Sequence, residues 1–250
     1  MFDEPYRWID AIHQRRDYIS AQLDRATPVL AVSVDEGIVL ATFHRQTPKI
    51  FELYDRMVLA GVGHPADLES VRGHLLSMAH VEGFQRSPSD VTIERLALFG
   101  LAPRLKGAFE DVSVPPVILN VLLGEVGKNP TQDLLLQVSY DGNIFRSSSY
   151  TVLAADDDSR MKTTQLLSEL LPSTPTNLLA VLPVMGQVLF ETLYSPEERG
   201  RVESGNLVDK DKAVECGEKI LSERVWEGVL LDRQNPGRIR RIPADPGWFR

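Results

Sequence analysis

Thr27 and Lys49 are the side chains of this sequence that raise a chemical question. Thr27 stands at the head of an apolar run, "TPVLAVSV". A hydroxyl so placed can attack an acyl group if a base removes its proton, and some threonines use their own freed α-amine as that base. Ala26 precedes Thr27 and Pro28 follows it, so that amine is free only if the chain is cut between Ala26 and Thr27. Lys49, read from pattern alone, is a solvated lysine at a strand edge. Other constellations carry less. The histidines His13, His44, His64, His74 and His80 show no H-x-x-x-H or Cys/His spacing, so no metal or cofactor is expected. "ADDDSR", from Ala155 to Arg160, reads as a helix start at Asp158 or Ser159. The four arginines of "RQNPGRIRR" lack interleaved aromatics and suit an edge strand. The absence of a P-loop or glycine-rich fingerprint argues that the chain does not itself hydrolyse ATP.

The rest of the composition narrows the classes. A length of 250 residues is enough for one large domain or two small ones with a substantial core. Hydrophobic residues at 43% and charged residues at 25% are ordinary for a globular protein. The net charge of -8 opposes nucleic acid or an anionic membrane as the main partner. The one cysteine, Cys216, excludes an internal disulfide and fits a reducing compartment. "MFDEPYRWID" has acids where an export signal has basic and then apolar residues. The longest mostly apolar stretch, Asn177 to Phe190, is too short to span a bilayer and contains Pro183. The expectation is a cytoplasmic chain.

The elements that would position these residues follow from periodicity. Trp8, Ile9, Ile12, Ile19 and Leu23 fall on one face of a helix between Glu4 and Ala26, with Pro5 in its first turn. "TPVLAVSV" and "GIVLATF" read as two strands turned at Asp35-Glu36-Gly37. "KIFELYD" and "RMVLAGVG" form a second pair joined near Asp55. Helices are expected at about Pro65–Phe84 and Ser89–Phe109, the latter capped by Ser89 with Asp90 in its first turn. Three or four strands follow Val114-Pro115-Pro116, with a turn at Tyr140-Asp141-Gly142-Asn143. Helices at about Asp158–Leu171 and Thr176–Tyr194 break at Pro172 and end near Ser195-Pro196. "ILSERVWEGVLLD" and "RIRRIPADPGWFR" close the chain as strands around an Asn235-Pro236-Gly237 turn. Two sheets packed face to face with helix pairs outside would bury every apolar face in this order.

"KIFELYDRMVLAGVGHPADLESVR", from Lys49 to Arg72, resembles a segment of proteasome subunits. That family has a Lys-Ile strand, an aspartate turn, a strand ending in glycine and a helix with Ala-Asp; here these are Lys49-Ile50, Asp55, Gly63 and Ala66-Asp67. "VDEGIVLAT" and "YDGNI" resemble its first hairpin and a later Asp/Gly turn. The resemblance covers element order from about residue 4 to 195. It implies the four-layer αββα sandwich of N-terminal-nucleophile hydrolases, with an extra N-terminal helix. The segments would be 1–26 for gate and ring-contact helix, 27–242 for the sandwich and 243–250 for a tail.

The family's catalytic, β-type subunit needs the threonine, a lysine and an aspartate beside it. Thr27 and Lys49 occupy the first two places, but Phe43 stands where the aspartate belongs and accepts no hydrogen bond. The resemblance therefore implies a non-catalytic, α-type subunit of bacterial character. Its first helix, through Trp8, Ile12, Ile19 and Leu23, would contact neighbours in a seven-membered ring stacked on β-type subunits. Met1 to Glu4 would gate unfolded protein substrates. Lys49 would receive the C-terminal carboxylate of an ATPase activator's tail, in a pocket shaped by Gly63 and His64. His64, in place of a leucine, would make docking pH-dependent. "GWFR", ending in Trp248-Phe249-Arg250, loosely echoes hydrophobic-aromatic-any residue; an aromatic anchor packing on its own ring is the preferred reading, with a docking role left open. Two alternatives stay open: a self-processing threonine peptidase with Thr27 as nucleophile and Lys49 beside it, and a non-proteolytic scaffold on the same fold.

Overall fold

The computed structural model of the chain describes residues 5–24, 26–171, 177–194, 210–235 and 237–249. The expected gate residues Met1 to Glu4 lie outside them, as do the expected breaks at Pro172 and Ser195-Pro196, and Arg250. The elements in order are α1 (Pro5–Leu23), β1 (Val29–Val34), β2 (Gly37–His44), β3 (Ile50–Tyr54), β4 (Met57–Gly63) and α2 (Pro65–Gln85). Next come α3 (Ile93–Arg95), a π-helical turn (Leu96–Leu101), α4 (Ala102–Glu110), β5 (Leu119–Glu125), β6 (Leu134–Val138), β7 (Ile144–Ser147) and β8 (Tyr150–Leu153). The rest are α5 (Asp157–Leu170), α6 (Leu178–Leu193), α7 (Lys210–Glu223), β9 (Val225–Asp232) and β10 (Ile239–Ile242).

Two five-stranded antiparallel sheets form, in the orders β10-β9-β2-β1-β8 and β3-β4-β5-β6-β7. Alternation along β1 and β2 explains how they stack. Val29, Ala31, Ile38 and Leu40 face inward against Val58, Ala60, Val62 and Leu122 of the second sheet. Their neighbours Leu30, Val32, Val39 and Phe43 face outward against α5, α6 and Ile220 of α7. On the other side, α2 and the α3–α4 segment cover Met57, Leu59, Val121 and Leu123. With helices over both outer faces, β1 is buried at every position, which is why it reads as a continuous apolar run. The result is the expected four-layer αββα sandwich, with α1 as an additional helix.

Three local readings are corrected. The helix expected from Ser89 starts at Ile93, because Thr92 caps it by accepting from the Arg95 amide (3.3 Å), while Ser87 starts a separate short turn at Pro88. Asp156, rather than Asp158 or Ser159, caps α5, its carboxylate accepting from the Ser159 amide (2.8 Å). A third helix, α7, packs beside the expected pair. Ile220, read as strand, belongs to it: Ile220 is wholly buried among the α5 and α6 side chains, and its carbonyl accepts from the Arg224 amide (2.9 Å).

Candidate functional site

Both candidate side chains open on one cavity of about 850 Å³, where α1 hands over to β1 beside the ends of β2, α5 and α6. Thr27 sits there at 3% exposure. Both its oxygens are held: the Lys49 ammonium donates to its carbonyl (2.7 Å) and the Arg224 guanidinium to its hydroxyl (2.7 Å). In the 250-residue chain the Thr27 nitrogen is a peptide nitrogen, so the amine that a self-activating threonine uses is absent from this form.

Lys49 is not the solvated edge lysine that pattern alone suggests. Its pKa falls from 10.5 to about 8, first because burial strips water from the ammonium and then because Arg224 repels it, with Glu227 pulling the other way. Glu227 anchors the strand start beneath it. Its carboxylate accepts from the backbone amides of Lys49 (2.8 Å) and Ile50 (3.3 Å) and is itself 1% exposed. β9 delivers Glu227 to this place by pairing it with Thr42, whose hydroxyl donates to the Pro28 carbonyl (2.7 Å). A carboxylate therefore does stand near Lys49, supplied by β9 in place of β2. Phe43, at the position an aspartate would need, is wholly buried and packs edge-on against Trp226, ring centroids 5.4 Å apart.

Gly63 lines the same cavity. Its φ of +151° and its closeness to the Ile118 carbonyl, 2.1 Å from where a Cβ would stand, exclude any other residue without backbone movement. His64 does not line the cavity. Its amide donates to Ile118 (2.8 Å) and its Nδ1 accepts from the Ala66 amide (3.2 Å), so it is the exposed cap of α2. Of the three residues expected together, Lys49 and Gly63 line this cavity and His64 does not; Arg224 lines it too, and Glu227 lies behind it on the Lys49 and Ile50 amides. Neither was legible in sequence: they lie 197 and 178 residues from Thr27 and Lys49, the residues they bond, in no motif.

The ring-contact residues divide. Ile19 and Leu23 are wholly buried against Phe109 and Ala155 of the chain itself, so they have no surface for a neighbour and that expectation is corrected. Ile12 packs partly with them. Trp8 is 52% exposed, with Ile9 and Tyr18 also exposed. Trp248 packs on Trp226, centroids 5.5 Å apart. No group of three or more His, Cys, Asp or Glu is gathered among the described residues, and no described helix is long and apolar enough to cross a membrane.

Sequence comparison finds relatives of this chain. Over 146 residues the chain is 32% identical to the proteasome subunit alpha of Jonesia denitrificans, covering 58% of this chain and 61% of that protein. It is 26% identical over 144 residues to that of Actinosynnema mirum, covering 57% and 54%. Over 153 residues it is 28% identical to that of an Arthrobacter species, covering 60% and 64%. The chain spans less than two thirds of the length of these curated relatives, and no family model matches it. The resemblance carried by Lys49 to Arg72 thus recurs as similarity, over about 57% of the chain, to the alpha subunits of bacterial proteasomes.

Proposed function

We propose that this chain is the non-catalytic alpha subunit of a proteasome core particle. It forms the outer, seven-membered ring on a ring of β-type subunits, admits unfolded protein substrates and docks an ATPase activator in the cytoplasm. The observation that carries the non-catalytic reading is the state of Thr27. Its hydroxyl accepts from a cation that cannot act as a base, and Phe43 fills the place of the aspartate. The segment that cleavage would remove is no passive leader, because Ile19 and Leu23 of α1 complete a core cluster with Phe109.

In this reading the activator's tail, ending in hydrophobic-Tyr-any residue, places its terminal carboxylate at Lys49, the ammonium supplying a point charge. Gly63 leaves room for the approach, and Pro28, Leu193 and Tyr194 give an apolar wall. Drawing Lys49 away from Thr27 frees a carbonyl four residues beyond the end of α1. Binding energy at the cavity thereby shifts the balance of the helix that leads to the gate at Met1 to Glu4. The remaining segments keep their parts, 27–242 as the sandwich and 243–250 as a tail docked on it.

Native mass spectrometry of the chain, co-expressed with a β-type subunit from the same genome, tests the reading. Full-length copies of this chain assembled with processed copies of the other support it. A homo-oligomer of chains that all begin at Thr27 would replace it with the self-processing peptidase.

A further inference from the structure

The cavity holds more positive charge than one receptor lysine explains. Lys49 and Arg224 both donate to Thr27, and neither forms an ion pair with any carboxylate of the described residues. Glu227, a buried acid beside Lys49, has its oxygens on the Lys49 and Ile50 amides and one of them 3.9 Å from the Arg241 guanidinium. Arg45 and Lys162 line the cavity as well, against the acids Asp24 and Glu191. Partial burial and the neighbouring Arg45 disfavour the charge on Arg224. One further polar atom is present: His44 lines the cavity, and its Nδ1 is buried without a hydrogen-bond partner.

A desolvated ammonium and a partly buried guanidinium held on one neutral residue are a costly arrangement unless an anion completes it. A guanidinium holds several N–H donors in a fixed fork that matches both oxygens of a carboxylate, while an ammonium offers donors in any direction. Arg224 makes one side-chain hydrogen bond, to Thr27, and Lys49 likewise. A carboxylate between them would accept from both and offset half of their combined charge, and Thr27 holds the pair, one cation on its carbonyl and one on its hydroxyl, until it arrives.

We infer that Arg224 is a second recognition residue of this site, and that it and Lys49 together clamp the terminal carboxylate of a bound peptide. The inference rests on reading the cavity as a tail receptor and adds the residue that makes it selective for a free acid. It also assigns a role to Thr27: where a hydrolase keeps a nucleophile, this chain keeps a hydrogen-bond post for two cations.

The test is calorimetric titration of the full chain with a synthetic peptide ending in hydrophobic-Tyr-Ala, as the free acid and as the C-terminal amide. The wild type should bind the acid at least ten-fold more tightly than the amide. Arg224→Gln should shrink that ratio to below three while leaving the amide's affinity in place. If Arg224→Gln keeps the full ratio and Lys49→Met loses it, the role of Arg224 is overturned and the Lys49 reading stands. A wild type that does not distinguish acid from amide overturns both. Acetate competing as well as the peptide at equal concentration overturns a peptide as the ligand. Should Arg224→Gln fail to fold, Arg224→Lys decides. A three-fold or greater loss of acid preference is expected because an ammonium cannot form the fork, and an unaltered ratio overturns the inference.

Discussion

Lys49 carries its charge at a cost to the fold. At about 1.4 kcal/mol per pH unit, the fall from 10.5 to about 8 means that keeping it protonated costs roughly 3 kcal/mol at neutral pH. The sign follows from proton counting. Between pH 8 and 10.5 the unfolded chain binds more protons at this site than the folded one, so the penalty is complete below about 8 and fades as pH rises toward 10.5. Lys49→Met, which removes the charge but also the bond to Thr27, should therefore gain about 1–2 kcal/mol at pH 7. That gain should shrink above pH 8, as read by denaturant unfolding across pH. In the assembled particle, Lys49→Ala should abolish ATPase-stimulated degradation while ring assembly and small-peptide cleavage persist. A loss of stability at pH 7, or equal loss of all three activities, would make Lys49 a structural residue. Asp133 and Arg233 are the opposite case. Arg233 meets both oxygens of Asp133 (2.6 and 2.9 Å), and Ser33 and the Gly127 amide complete the carboxylate's bonds. The pair ties the first hairpin to the second sheet, so Asp133→Asn or Arg233→Gln should cost about 3–5 kcal/mol by leaving a buried charge alone.

Among the elements, α1 does two jobs with two faces. Its C-terminal half belongs to the fold: Ile19 and Leu23 are closed over by Phe109 and Ala155, and Arg15 donates to the carbonyls of Ala108 and Val114 (both 2.7 Å). Leu23→Ala should cost about 2–5 kcal/mol by thermal or denaturant unfolding. Trp8 should behave differently. Half exposed near the helix start, Trp8→Ala should change the stability of the isolated chain by less than about 0.5 kcal/mol. It should weaken assembly into a ring, measured by native mass spectrometry as a shift from heptamer to smaller species. If both substitutions act alike on stability, the division of the helix is wrong. The strand β9 also has two duties, since one face fills the core with Val229 and Leu231 while its start carries Glu227 to Lys49 and Arg224 to Thr27.

At the scale of the molecule, the cavity lies where the chain's first helix, both sheets and the helices over the first sheet meet. A ligand bound there touches groups from the first, middle and last thirds of the sequence, so its binding reports on the whole fold. The peptide acid should raise the melting temperature of the wild type in a concentration-dependent way, by the usual linkage of a ligand to the folded state. Lys49→Met should lose that rise. Removal of residues 1–26 from the gene should leave a chain that no longer melts cooperatively, because α1 supplies half of a core cluster. A truncated chain that folded and cleaved peptides from Thr27 would reverse the proposed role.

Much of this was written locally. The two hairpins are explicit in runs of apolar, β-branched residues broken at Asp35-Glu36 and Asp55, and the residues on either side pair as the turns require. Lys49, Gly63 and Thr27 drew attention through the resemblance to proteasome subunits, since pattern alone made Lys49 a solvated edge lysine, and all three line one cavity. Phe43 was legible as the side chain that cannot do an aspartate's work. What local pattern could not decide was where a side chain ends up once layers stack. Ile19 and Leu23 carry the same amphipathic signature as Trp8, and only the packing of α1 on Phe109 separates core from surface. His64 reads as a pocket residue by position, yet the turn into α2 uses it as a cap. Ile220 was read as strand because it opens a run of β-formers, until its burial on the turn ahead of Arg224 placed it in a helix. Arg224 and Glu227 were beyond reach of pattern. Their significance lies in contacts made across most of the chain's length, and a contact between residues so far apart exists only in the folded state, where β9 pairs with β2 and sets both beside Lys49.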